Sequence, residues 1–84
     1  MFFLYIIYSE SLNKYYTGYS KNVTVRLNQH NEGISGFTSF AKDWVLKYKE
    51  EFKTREEAKN RELEIKKKKS RKYIEYIIST CIVP

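Results

Sequence analysis

"FFLYIIYSESLNKYYTGYS", residues 2–20, decides the fold. Its first part, residues 2–8, is a run of aromatic and β-branched side chains bounded by Ser9, Glu10 and Ser11. That pattern predicts a strand buried on both faces. The polar "SESLNK" that follows reads as a turn, with Asn13 as its pivot. Residues 14–19 then predict a second strand, so the two form a hairpin. Gly18 lies inside it, where a glycine marks a bulge or a close approach, here expected to be of backbone.

Working outward, Asn22 is a good N-cap for a helix over 23–31 with Val23 and Leu27 as its apolar stripe. Arg26 and His30 are four apart and share one face of that helix. "NEGISGFTSFAKD" reads as a loop and a candidate binding element. "WVLKYKEEF" (44–52) alternates imperfectly and predicts a third strand. Thr54-Arg55-Glu56-Glu57 is a capping box, so a helix begins at Arg55. Its inward stripe is Ala58, Glu62 and Ile65. Ser70 can cap a further helix that gathers Tyr73, Ile74, Ile77 and Ile78 on one face. "STCIVP" is either a frayed tail or a docking segment. The order is β-β-α-β-α-α: an α+β fold, a small three-stranded antiparallel sheet covered by helices, with residues 1–84 as one domain.

The 84 residues carry 16 Lys and Arg against 10 Asp and Glu, a net charge of +6. That balance suits an anionic partner such as nucleic acid or a membrane surface, and also plain solubility. Cys81 is the single cysteine, which excludes an intrachain disulfide and a cysteine-built zinc site and fits a reducing cytoplasm. The apolar opening is too short to span a bilayer and lacks a basic n-region and cleavage site. It is expected to be a core strand; no membrane partner is expected, with a membrane-surface or protein-interaction module kept as a third reading.

Three features stand apart. Glu62 falls in register with Ala58 and Ile65, where a carboxylate must pair with a base such as Arg61 or Lys66 or else hold a cation. Arg26 and His30 are either a solvated face or a phosphate clamp with a proton-transfer partner. Lys66, Lys67, Lys68, Lys69, Arg71 and Lys72 put six basic residues in seven positions, a candidate phosphate-backbone footprint wrapping a helix end. There is no Gly-x-Ser-x-Gly, no Gly-rich phosphate loop and no His/Cys cluster. An enzyme built from this chain works with Tyr, Arg, His, Lys and a lone Glu.

This set resembles the GIY-YIG nuclease domain, in particular its small single-domain YhbQ-like (UPF0213) group. The first motif stands here as "FLYII" around Tyr5 and the second as "YTG", Tyr16-Thr17-Gly18. Arg26 and His30 match the family's Arg-x-x-x-His, and "EEAKNRELEIKK" matches its helix segment, placing the acidic residue on Glu62. The resemblance covers residues 2–78. Tyr19 stands where many members carry a lysine, and "SRKYIEYI" offers no counterpart to an asparagine found in several.

The resemblance implies cleavage of a DNA phosphodiester with one divalent cation, Mg²⁺ or Mn²⁺, in DNA repair, recombination or processing. Tyr5 and Tyr16 would be paired phenols, Arg26 would stabilise the phosphate, His30 would sit beside the site and Glu62 would hold the metal. Which tyrosine acts as the base stays open. The alternative is a nucleic-acid-binding module of the same fold without useful turnover. DNA is the expected partner, and a protein partner could supply targeting.

Overall fold

The computed structural model describes residues 1–34, 36 and 39–80. Part of the expected binding loop, and the tail with Cys81, lie outside the described residues. The elements run β1 (Phe2–Ser9), β2 (Lys14–Ser20), α1 (Val23–Asn31), β3 (Trp44–Phe52), α2 (Arg55–Lys68) and α3 (Arg71–Thr80). The order is the expected β-β-α-β-α-α.

The sheet order is β2-β1-β3, with both neighbours antiparallel to β1. The central position explains why β1 is the most apolar strand: Leu4, Tyr5, Ile6 and Ile7 are all buried. Alternation divides them between two cores. Tyr5 and Ile7 face α1 with Val23 and Trp44, while Leu4 and Ile6 face α2 and α3 with Ile65 and Ile77. The hairpin turns at Asn13, whose φ of 53° is left-handed, a conformation asparagine tolerates.

The imperfect alternation of β3 has a physical cause. Ile6 pairs with Tyr48 but Ile7 pairs with Leu46, so Lys47 is an extra residue in a β-bulge. The bulge reverses the faces. Trp44 and Leu46 pack in the α1 core, and Tyr48 and Phe52 in the other.

Three side chains cap the helices as their sequence predicts. Asn22 Oδ1 accepts from the Val25 amide, and Thr54 and Glu57 close a full capping box. Ser70 Oγ accepts from the Tyr73 amide. Asn31, at the end of α1, grips the backbone of Trp44: its amide donates to the carbonyl at 3.0 Å and accepts from the N–H at 2.7 Å. That pair of bonds locks α1 to the start of β3 and so fixes where His30 stands.

Candidate active site

Tyr5 and Tyr16 lie on the same face of the sheet. The hairpin register opposes Tyr5 to Gly18 and Ile7 to Tyr16, so the two phenols are diagonal neighbours across β1 and β2. Tyr15 and Thr17 point to the opposite face. Gly18 permits the diagonal contact. A Cβ there would meet the Tyr5 hydroxyl at 2.7 Å, Tyr5 Cζ at 2.8 Å and a Tyr16 ring carbon at 3.2 Å. The close approach is therefore made by two tyrosine side chains, where the sequence suggested backbone.

His30 comes down from α1 between the two rings. Its Nε2 is 2.7 Å from the Tyr5 hydroxyl, and its ring centroid is 5.8 Å from Tyr5 and 5.1 Å from Tyr16. The imidazole is fully buried. Burial first, and then the positive charge of Arg26, lower its pKa to about 4. At neutral pH it is an uncharged imidazole with one N–H; in the Nδ1–H tautomer, Nε2 accepts the Tyr5 O–H. Burial, followed by the charge of Tyr16, pushes the Tyr5 phenol up to about 12, while the charge of Arg26 and a hydrogen bond from its guanidinium act to lower it.

Arg26 is partly buried one turn before His30 and also donates to Gln29 Oε1 at 2.9 Å. Glu62 belongs to the same neighbourhood, because its negative charge acts on Tyr5. Its side chain is only 14% exposed, and Lys66 Nζ lies 3.5 Å from its Oε2. The same ammonium is 5.4 Å from the centroid of the Tyr16 ring. The structure thus brings Tyr5, Tyr16, Arg26, His30 and Glu62 together, and adds Lys66. Sequence reasoning placed Lys66 in the basic run and offered it, beside Arg61, as a partner for Glu62; the pair with Lys66 is the one that forms.

The rest of the basic run disperses around the end of α2. Lys68 stacks 5.5 Å from the Tyr73 ring, and Lys67 and Lys72 are exposed. Lys69 is the left-handed C-cap of α2. Arg71 binds the hairpin turn, donating to the Asn13 carbonyl at 2.9 Å and to Asn13 Oδ1 at 2.8 Å. Tyr19, paired with Leu4, faces away from Tyr16, and its hydroxyl accepts from Arg55 at 3.3 Å.

Residues 1–74 match the family described as GIY-YIG catalytic domain. The chain belongs to the GIY-YIG family. It is 40% identical over 65 residues to a UPF0213 protein of Staphylococcus haemolyticus, covering 76% of this chain and 78% of that one. It is 38% identical over 65 residues to UPF0213 proteins of Staphylococcus aureus, with the same coverage. No solved structure matches it. Membership of the GIY-YIG family makes this a domain of nuclease type.

The donor set of this GIY-YIG site fits a hard cation. Among the described residues no three His, Cys, Asp or Glu side chains cluster. Glu62 alone offers a carboxylate beside Tyr5, the arrangement Mg²⁺ accepts when water and substrate oxygens complete its shell. No helix among the described residues is long and apolar enough to cross a membrane.

Proposed function

We propose that this chain is a divalent-metal-dependent DNA endonuclease that hydrolyses a phosphodiester, serving DNA repair, recombination or processing. The observation that carries it is the buried Tyr5–His30 hydrogen bond, flanked by Tyr16, Arg26 and Glu62. A module that only binds nucleic acid has no use for a phenol held between an acceptor and a cation.

At pH 7 a phenol with a pKa of about 12 is ionised in only about one molecule in 10⁵. Tyr5 therefore works as a hydrogen-bonded phenol. It takes a proton from the attacking water while its own proton passes to His30 Nε2, which lies 2.7 Å away and accepts in the Nδ1–H tautomer. Arg26 is the permanent cation beside that hydroxyl, and its planar donors suit the nonbridging phosphate oxygens as charge builds there. Tyr16 packs on the imidazole and holds its ring plane. Glu62 would hold Mg²⁺ or Mn²⁺, which supplies positive charge for the leaving 3′ oxygen.

The binding-only reading draws on the height of the Tyr5 pKa, which leaves the phenol inert unless a cation and His30 assist it. Nicking of supercoiled and branched DNA in Mg²⁺ separates the two. Tyr5→Phe, Arg26→Ala and Glu62→Ala should each lose about 10²–10³ in rate at matched DNA binding. Wild-type cleavage by Glu62→Ala would sink the metal role, and binding with no Mg²⁺-dependent product from the wild type would leave only the binding module.

A further inference from the structure

Glu62 and Lys66 stand one helical turn apart on α2, and the Lys66 ammonium lies 3.5 Å from Glu62 Oε2. A pair at this spacing is common on exposed helix faces and carries little meaning there. Here the carboxylate belongs to the inward stripe of α2, between the buried Ala58 and Ile65, and is itself largely buried. The ammonium is not confined to that contact. It also lies 5.4 Å from the centroid of the Tyr16 ring on β2. Its side chain is half-exposed, in the wall of a cleft shared with Tyr16 and Ile74. Glu62 and Tyr16 thus share one cation, carried on a flexible stem that borders solvent.

Glu62 is the carboxylate that would hold Mg²⁺ or Mn²⁺, and in the free protein it already carries a positive charge. The ammonium neutralises the carboxylate and repels a second cation arriving beside it. A DNA phosphate next to Tyr16 removes both obstacles. It gives the ammonium another anionic partner within reach of its stem, and it leaves the carboxylate uncovered. We propose that Lys66 is an exchangeable cation of this site: it sits on Glu62 in the free protein and passes to a DNA phosphate when substrate arrives, so that metal and DNA are taken up together. Two ligands that both relieve one contact bind with positive coupling, and the coupling is reciprocal. This rests on the nuclease reading above and adds an order to it: the site holds its metal poorly until DNA is present.

The test reads metal binding, not turnover. Electron paramagnetic resonance gives the Mn²⁺ affinity of the free protein. Lys66→Met should bind Mn²⁺ about tenfold more tightly than the wild type. Lys67→Met loses the same charge from an exposed position and should match the wild type. The titration is then repeated with a phosphorothioate DNA duplex that resists cleavage, followed by the broadening that Mn²⁺ causes in the Tyr5 ring resonances. That signal registers metal near Tyr5 and not metal scattered along the DNA. The duplex should tighten Mn²⁺ binding about tenfold more in the wild type than in Lys66→Met. Equal affinities of Lys66→Met and Lys67→Met overturn the proposal, because they leave only a change in net charge. So does equal tightening by DNA with and without Lys66. Loss of Mn²⁺ binding in Glu62→Gln with no effect of Lys66→Met defeats the exchange and leaves the metal role standing; unchanged binding in Glu62→Gln defeats both. A chain that shows the coupling but never cuts DNA keeps the exchange and loses the nuclease reading.

Discussion

The Tyr5 hydroxyl and His30 Nε2 stand 2.7 Å apart, and both side chains are buried. The low pKa of His30 leaves its ring uncharged at neutral pH, with a single N–H. With that hydrogen on Nδ1 the phenol donates to Nε2, and the Arg26 guanidinium meets the other side of the Tyr5 oxygen.

Tyr5→Phe keeps the ring in the α1 core and removes one oxygen. His30 Nε2 then lacks its partner, a cost of about 1–3 kcal/mol for a buried unsatisfied group. The variant should fold, melt several degrees lower, and lose about 10²–10³ in cleavage rate. Circular-dichroism melts beside nicking rates check this. Full activity in a folded Tyr5→Phe would remove Tyr5 from the proton path.

Gly18→Ala should injure the site without touching any charged group. Its Cβ would lie 2.7 Å from the Tyr5 hydroxyl, so Tyr5 or β2 must move. Overpacking of this kind costs about 1–3 kcal/mol. The ring nitrogens of His30, followed by NMR, should shift as the Tyr5 bond lengthens. Unchanged His30 resonances would show that the hairpin absorbs a methyl group there.

Stability should fall on acidification through the titration of His30. Its folded pKa is about 4 against an ordinary 6.5. The unfolded chain therefore takes up the proton first. The contribution is complete above pH 6.5 and is lost as pH falls toward 4, up to roughly 3 kcal/mol. Denaturant midpoints between pH 7 and pH 4 should drop steeply for the wild type and less for His30→Gln. Parallel curves would mean that His30 is not the group responsible.

Glu62→Gln should separate chemistry from stability. The largely buried carboxylate pairs at 3.5 Å with the ammonium of Lys66, whose half-exposed side chain keeps the pair close to solvent and its net worth near about 0–1 kcal/mol. The melting temperature should barely move, while Mn²⁺ binding followed by electron paramagnetic resonance should disappear. Lys66→Met, which removes the competing ammonium, should tighten Mn²⁺ binding. Weaker binding by Lys66→Met would mean that the lysine supports the metal site.

The fold was legible because its signals are local. Asn22, Thr54 and Ser70 announce helix starts through side-chain bonds spanning three residues, and the β1–β2 turn carries its own asparagine. The gathering of Tyr5, Tyr16, Arg26, His30 and Glu62 followed from family resemblance joined to strand and helix periodicity. What stayed hidden is long-range. The clash that Gly18 avoids depends on the diagonal packing of two rings, and Asn31 serves the backbone of Trp44 thirteen residues on. The bulge at Lys47 left only a broken alternation, which does not say which residue is extra.

The bond between Arg71 and Asn13 spans 58 positions, and β1 gains its second neighbour only when β3 arrives. The first strand of this domain is therefore not fully enclosed until its third strand is made. Until residue 52 has emerged, the most apolar segment of the chain has one open edge, and until residue 71 has emerged the hairpin turn lacks its clamp. Assembly of this domain consequently waits for nearly all of its own elements. Shortening the chain before α3 would leave the product with a loosened turn and its aromatic strand less covered.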